Sequence, residues 1–244
     1  MLSKRQLKYF KSLQLKKNRH AERKFLVEGA KGTEELLKSS LKTEAIIVTE
    51  EYLDQLNPSL LNNVEVIIAK ERELTQIGTF RSNNTVIGVA EMTNQVDVEL
   101  IKDDIILLID SVNDPGNLGT IIRVADWYGL KNIICSLDTT DVYNPKVINS
   151  TVGSFTRVGV HYTDLVSYLE KCNSKVYGAL LEGNSIYETE LGKGVILMGS
   201  ESHGISDDLI PFITQPIRVP RRGGAESLNV GVATAVVLDN FFRS

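Results

Sequence analysis

Short apolar runs alternating with polar, helix-patterned stretches set the character of this chain. In the first third, residues 25–27 (FLV), 45–49 (AIIVT), 64–68 (VEVII) and 86–90 (VIGVA) are rich in β-branched side chains and have strand length. Between them, residues 29–40, 52–61 (interrupted by Pro58) and 71–77 carry helical spacing. The pattern predicts a small β-α-β-α-β-α-β unit. Residues 91–104 are polar and acidic without a clear amphipathic period and read as a linker. A second series opens at residues 105–110 (IILLID), a continuous apolar run of the kind buried on both faces of a sheet. Residues 132–136, 157–160, 175–181 and 194–199 are further strands, with helices over 119–128, 165–172 and 229–242. Gly129 stands where a helix C-terminus favours glycine. Alternating strands and helices imply an α/β fold with a mostly parallel sheet covered on both faces. The expected division is 1–92, a linker over 93–104, and 105–244.

Composition adds little to this. At 42% hydrophobic and 24% charged residues the chain has the balance of a soluble globular protein. No apolar run approaches the roughly 20 residues that span a bilayer, and the N-terminus lacks the apolar core of a secretion signal. Cys135 lies in an apolar run and reads as a buried small hydrophobe, so no disulfide is expected and a cytoplasmic location is. His20, His161 and His203 are scattered, no Cys/His pair has ligand spacing, and no metal is expected.

Charge does change the picture. Residues 1–24 hold nine Lys or Arg (Lys4, Arg5, Lys8, Lys11, Lys16, Lys17, Arg19, Arg23, Lys24) against Glu22 alone, a net +8 that leaves −12 for the other 220 residues. A basic arm on an acidic body suits a polyanion meeting one face, although a solvated basic helix has the same composition. Tyr9 and Phe10 interleave with the lysines, which favours nucleic acid over membrane.

Three loops following strands carry the candidate chemistry, at the strand ends where α/β sheets bind ligands. Residues 114–123 (DPGNLGTIIR) combine strong turn chemistry with Asn117 as a candidate helix cap, and place Arg123 near a helix start, where it is a surface charge or a phosphate clamp. Residues 197–206 (LMGSESHGIS) bracket Glu201 with glycines directly after a buried strand; that carboxylate is solvated, bonded to a helix N-terminus, or used. Residues 219–230 (VPRRGGAESLNV) run a flexible cationic loop into the last helix, with Ser227 and Asn229 as capping oxygens. Neither the dinucleotide nor the Walker-type glycine motif occurs, so a dehydrogenase or NTP-binding reading lacks its usual support.

Together, DPGNLGTIIRVADWYG (114–129), ILMGSESHGIS (196–206) and VPRRGGAESLNVGVA (219–233) resemble, in order and spacing, the three motifs of the SpoU/TrmH-type methyltransferases of the SPOUT superfamily. More loosely, KNRHAERKFLVEGAKGTEELL (17–37) is similar to the small α/β substrate-binding domain of rRNA-directed members. The resemblance implies a C-terminal trefoil-knot domain, although chains in general do not knot. It implies a homodimer and a bent S-adenosylmethionine held through backbone at Gly199, Val219 and Leu228, with Leu180 a weaker contact. It marks Asn117, Arg123, Glu201, Ser227 and Asn229 as catalytic, for methyl transfer to a ribose 2′-hydroxyl of RNA.

Chemistry argued from the residues agrees. An in-line displacement draws much of its acceleration from positioning, and an alcohol nucleophile needs a proton acceptor nearby. Arg123 as a literal base conflicts with the cost of deprotonating a guanidinium, so binding the target phosphate and steadying developing alkoxide charge is the more economical role, with a phosphate oxygen, water or Glu201 as the proton acceptor. The separate N-terminal domain favours ribosomal over transfer RNA, and an inactive RNA-binding scaffold is the remaining alternative. Arg221-Arg222, Gly231, Asn240 and His203 depart from the family pattern without touching the five marked positions.

Overall fold

The computed structural model describes residues 2–101 and 103–243. In chain order its elements are α1 (Lys4–Ser12), α2 (Lys16–Glu22), β1 (Lys24–Glu28), α3 (Ala30–Lys38), β2 (Thr43–Val48), α4 (Glu50–Leu53), β3 (Glu65–Ile68), α5 (Glu71–Ile77), β4 (Val86–Glu91), β5 (Ile105–Ile109), α6 (Pro115–Trp127), β6 (Asn132–Ser136), α7 (Pro145–Thr151), β7 (Gly159–Thr163), α8 (Leu165–Glu170), β8 (Val176–Ser185), β9 (Gly194–Met198), β10 (Gln215–Arg218) and α9 (Val230–Phe241). Every apolar run read as a strand forms one, the run at 157–160 being displaced to β7. By packing rather than by order along the chain, two units form: residues up to Asn94 with Asp141–Arg157, and Gln95–Thr140 with Val158 onward.

The first unit is built on a four-stranded sheet of order β1-β4-β2-β3, in which β4 runs antiparallel to both neighbours and β2 parallel to β3. Alternation along β1 sends Leu26 to one core with Phe10, Leu13, Ile47 and Leu74, and Phe25 and Val27 to another with Leu36. Segment 141–157 belongs here because it supplies Ile148 and Phe155 to that second core. The Phe25 ring lies 4.8 Å from Tyr143 and 6.0 Å from Phe155.

The basic segment forms α1 and α2, and its cations divide into two kinds. Arg19 is buried: its guanidinium donates to the carbonyls of Leu13 and Gln14 and to Asp141 Oδ2 at 2.7 Å. Lys24 pairs with Glu44, and Arg23 donates to Met92, Thr93 and Asn94. Lys4, Arg5, Lys8, Lys11, Lys16 and Lys17 stay exposed without a partner among the described residues. The two aromatics are not free for base stacking as their interleaving suggested. Phe10 is in the core and Tyr9 packs against it, because α1 needs an apolar face to dock.

The second unit holds a six-stranded sheet, β10-β8-β9-β5-β6-β7, with every neighbouring pair parallel. Strands β5 and β9, at its middle, bury Leu107, Leu108, Ile109 and Val195–Leu197 completely. Along β8 the pairing with β10 jumps from Gly178 opposite Pro216 to Asn184 opposite Ile217. The intervening residues bow outward, and Gly183 comes so near the Ile217 backbone that a Cβ there would lie 2.6 Å from its carbonyl carbon. Helices α6 and α9 pack together, close enough that a Cβ on Gly231 would meet Thr120 at 2.8 Å. Among the described residues no helix is long and apolar enough to cross a membrane, and no group of three or more His, Cys, Asp or Glu could hold a metal.

Candidate active site

The three motif loops follow strands β5, β9 and β10, and two of the three meet the third through one side chain. Asn229 caps α9: its Oδ1 accepts from the amides of Gly231 at 3.1 Å and Val232 at 3.3 Å. Its Nδ2 donates to Asn117 Oδ1 at 2.7 Å and to Glu201 Oε1 at 2.5 Å. Every donor and acceptor site of that amide is therefore used, which fixes its orientation.

Asn117 is available for this bond because it is not the cap of its own helix, contrary to the sequence expectation. Asp114 is the cap, accepting from the Asn117 amide at 2.8 Å, and Pro115 takes the first helical position, where its missing N–H costs nothing. Helix α6 thus begins four residues earlier than read from periodicity, and the Asn117 side chain is left to reach Asn229.

Of the three fates open to Glu201, the carboxylate takes the helix N-terminus. Oε1 accepts from the Val230 amide at 3.1 Å as well as from Asn229, and an anion there is favoured by the helix dipole. Oε2 accepts nothing from the described residues. The loop that carries it is folded hard back on itself. Ser200 and Gly204 exchange two backbone hydrogen bonds of 2.9 Å, and a Cβ on Gly199 would lie 2.1 Å from the Gly204 carbonyl carbon, so only glycine fits.

Arg123 is exposed on α6, one turn before Trp127, and its guanidinium bonds to nothing among the described residues. Ser227 is likewise exposed, with its hydroxyl unengaged. The fold therefore brings Asn117, Glu201 and Asn229 into contact and leaves Arg123 and Ser227 free. The backbone amides and carbonyls of Gly199, Val219 and Leu228 are also unpaired among the described residues, while the Leu228 side chain is 47% exposed and Leu180 half-buried. Unpaired peptide groups between apolar side chains fit a ligand gripped through main chain, which is what an adenosine and its amino-acid tail require.

Two residues here escaped sequence reasoning. In sequence Asp114 reads as turn chemistry, although Asp before Pro at a helix start is a capping signal. Asp110 was absorbed into its apolar strand, although a lone acid closing such a run is itself the signal. It is buried and accepts from the amide and hydroxyl of Ser206.

Comparison with known proteins places the chain in a family. The SpoU rRNA Methylase family matches residues 104–239, and the MRM3-like substrate binding domain matches residues 4–88. The chain is 31% identical, over 95% of its own length and 94% of the relative's, to the 23S rRNA (guanosine(2553)-2′-O)-methyltransferase RlmP of Bacillus subtilis. It is 28% identical to the 23S rRNA (guanosine-2′-O-)-methyltransferase RlmB of Coxiella burnetii, over 79% of this chain and 84% of that one. Among solved structures, the AdoMet-bound rRNA methyltransferase from Sinorhizobium meliloti superposes with a TM-score of 0.88 at 26% identity, covering 100% of this chain and 96% of that one. The resemblance carried by the three loops is thereby borne out, and the chain belongs to the SpoU rRNA methylase family.

Proposed function

We propose that this protein transfers a methyl group from S-adenosylmethionine to a ribose 2′-hydroxyl of RNA, with ribosomal RNA as its substrate. The carrying observation is the contact of Asn117, Glu201 and Asn229, drawn from three loops, in a chain of this family. An inactive scaffold would have no need to keep that amide fully engaged beside two free polar groups. The naming of the Bacillus subtilis and Coxiella burnetii relatives as 23S rRNA methyltransferases supports ribosomal over transfer RNA.

When bound, S-adenosylmethionine supplies an electrophilic methyl on a sulfonium centre. The chain's own residues position and neutralise. Peptide groups of Gly199, Val219 and Leu228, with Leu180 as a weaker contact, would hold the donor. Arg123, permanently charged, binds the phosphate of the target nucleotide and steadies the oxygen as it loses its proton. Glu201 Oε2, a phosphate oxygen or water accepts that proton, and Ser227 orients the ribose.

The same reading includes a trefoil knot in the C-terminal unit, a homodimer and a cytoplasmic location. Support for the first is the match of residues 104–239 to the SpoU rRNA Methylase family. Support for the second is Trp127 at 84% exposure on α6 and Val232 at 49% on the adjoining α9, apolar surface that a second copy would cover. The test is a map of 2′-O-methyl sites on ribosomal RNA from cells with and without the gene. One site disappears if the reading is right, and retention of every site refutes it.

A further inference from the structure

Asp110 closes the apolar strand β5 at 2% exposure, and makes no ion pair among the described residues. Oδ2 accepts from the Ser206 amide at 2.7 Å and the Ser206 hydroxyl at 2.8 Å, while Oδ1 accepts from the Ser111 hydroxyl at 2.8 Å. Burying a carboxylate against neutral donors alone is costly, so its return lies in geometry rather than net stability.

What it holds is the far foot of the loop bearing Glu201. The near foot is Met198, in register with Ile109 of β5, and the loop returns to the same strand end through Ser206. On either side of that foot, Ile205 and Leu209 are buried in the core. The other branch steers the first motif. Ser111 sits at φ 55, a left-handed conformation uncommon for residues with a side chain. Its amide donates to Ser136 Oγ at 2.9 Å, and its hydroxyl has one proton with two carboxylates in reach, Asp110 and, at 2.7 Å, Asp138 Oδ2. Ser136 completes the ring by donating to Asp138 Oδ1 at 2.6 Å.

We propose that Asp110 is a positioning residue for methyl transfer, fixing through Ser206 the loop that presents Gly199 and Glu201, and through Ser111 the segment leading to Asn117. This rests on the function proposed above. It touches neither donor nor RNA, and acts by keeping two loops in the arrangement that meets Asn229.

Steady-state kinetics on the full-length protein test it, with ribosomal RNA and S-adenosylmethionine varied separately. Ser206→Ala and Asp110→Asn are expected to raise the KM for S-adenosylmethionine about tenfold while the KM for RNA stays within about twofold. Ser206→Thr, which keeps the hydroxyl, is expected to restore the donor KM. Ser206→Ala with unchanged donor KM and turnover overturns the proposal, as does a loss confined to melting temperature or shared equally by both KM values. If Asp110→Asn does not fold, the Ser206 pair decides. A wild-type protein that neither binds the donor nor methylates RNA fails the functional reading instead, which is a separate result.

Discussion

Arg19 on α2 and Arg123 on α6 have the same side chain and opposite fates. Arg19 engages both terminal nitrogens, on two carbonyls and Asp141, with 3% of its side chain exposed, whereas Arg123 lies in solvent with its guanidinium unbonded among the described residues. The contrast extends to the acids. In the first unit, buried Glu28 accepts from the amides of Thr79 and Phe80, and Glu73 from those of Leu2 and Lys70, so these carboxylates close turns. In the second, Glu201 stays exposed at a helix start with one oxygen open. Charge written in a sequence is thus not charge available for work. Availability is decided by which groups the backbone has already claimed.

Substitutions that separate the two kinds of residue put this contrast at risk. Arg19→Ala removes the 2.7 Å guanidinium from the largely buried Asp141, leaving it the Tyr143 amide and His20 at 3.8 Å, and is expected to cost about 3 kcal/mol of stability in denaturant unfolding, with turnover per folded molecule unchanged. A normal unfolding midpoint would mean that Arg19 is as dispensable to the fold as a surface charge. Arg123→Ala should do the reverse: a loss of turnover of about a hundredfold or more, with a melting curve like the wild type's. Arg123→Lys should recover little, since a single ammonium lacks the guanidinium fork. Near-full activity in the lysine variant would remove Arg123 from the mechanism.

Smaller effects sharpen the same division among the basic residues. Lys8→Ala and Lys11→Ala are each expected to flatten the slope of log RNA affinity against log salt by about 0.8, while stability holds. Lys24→Ala, already paired with Glu44, should change that slope least. The smallest effect concerns pH. His161 is buried beside Asn132 Oδ1, which is 3.0 Å from Nε2, and Asn132 in turn donates to Asp103. Burial holds the His161 pKa below its usual 6.5. Below that value the unfolded chain takes up a proton that the folded one refuses, so stability falls as pH drops through 6.5 toward the lower folded pKa. Melting temperatures across that window should decline in the wild type and less so in His161→Gln; parallel curves would discount the histidine.

Much of the fold was legible because the strands bury both faces and so appear as unbroken apolar runs. Strand β10 was not, since QPIR is short and carries a proline, and its place is fixed by pairing with β8 rather than by its own pattern. Helix α7 went unread because Asn144-Pro145 looks like a turn, whereas Asn144 caps and Pro145 starts the helix. The site was visible as three loops of unusual composition. What stayed hidden was which side chains meet: the Asn229 bond to Asn117 spans 112 positions and the Arg19 bond to Asp141 spans 122, and no local pattern records such distances.

The placement of 141–157 with the first unit has a consequence for how such proteins are recombined. The chain leaves the parallel sheet after β6, contributes α7 and Phe155 elsewhere, and returns to form β7. A graft that exchanges only the residues before the linker would separate Phe25 and Val27 from Ile148 and Phe155. Trading one substrate-binding domain for another therefore requires two coordinated splices, and single-crossover chimaeras should emerge insoluble.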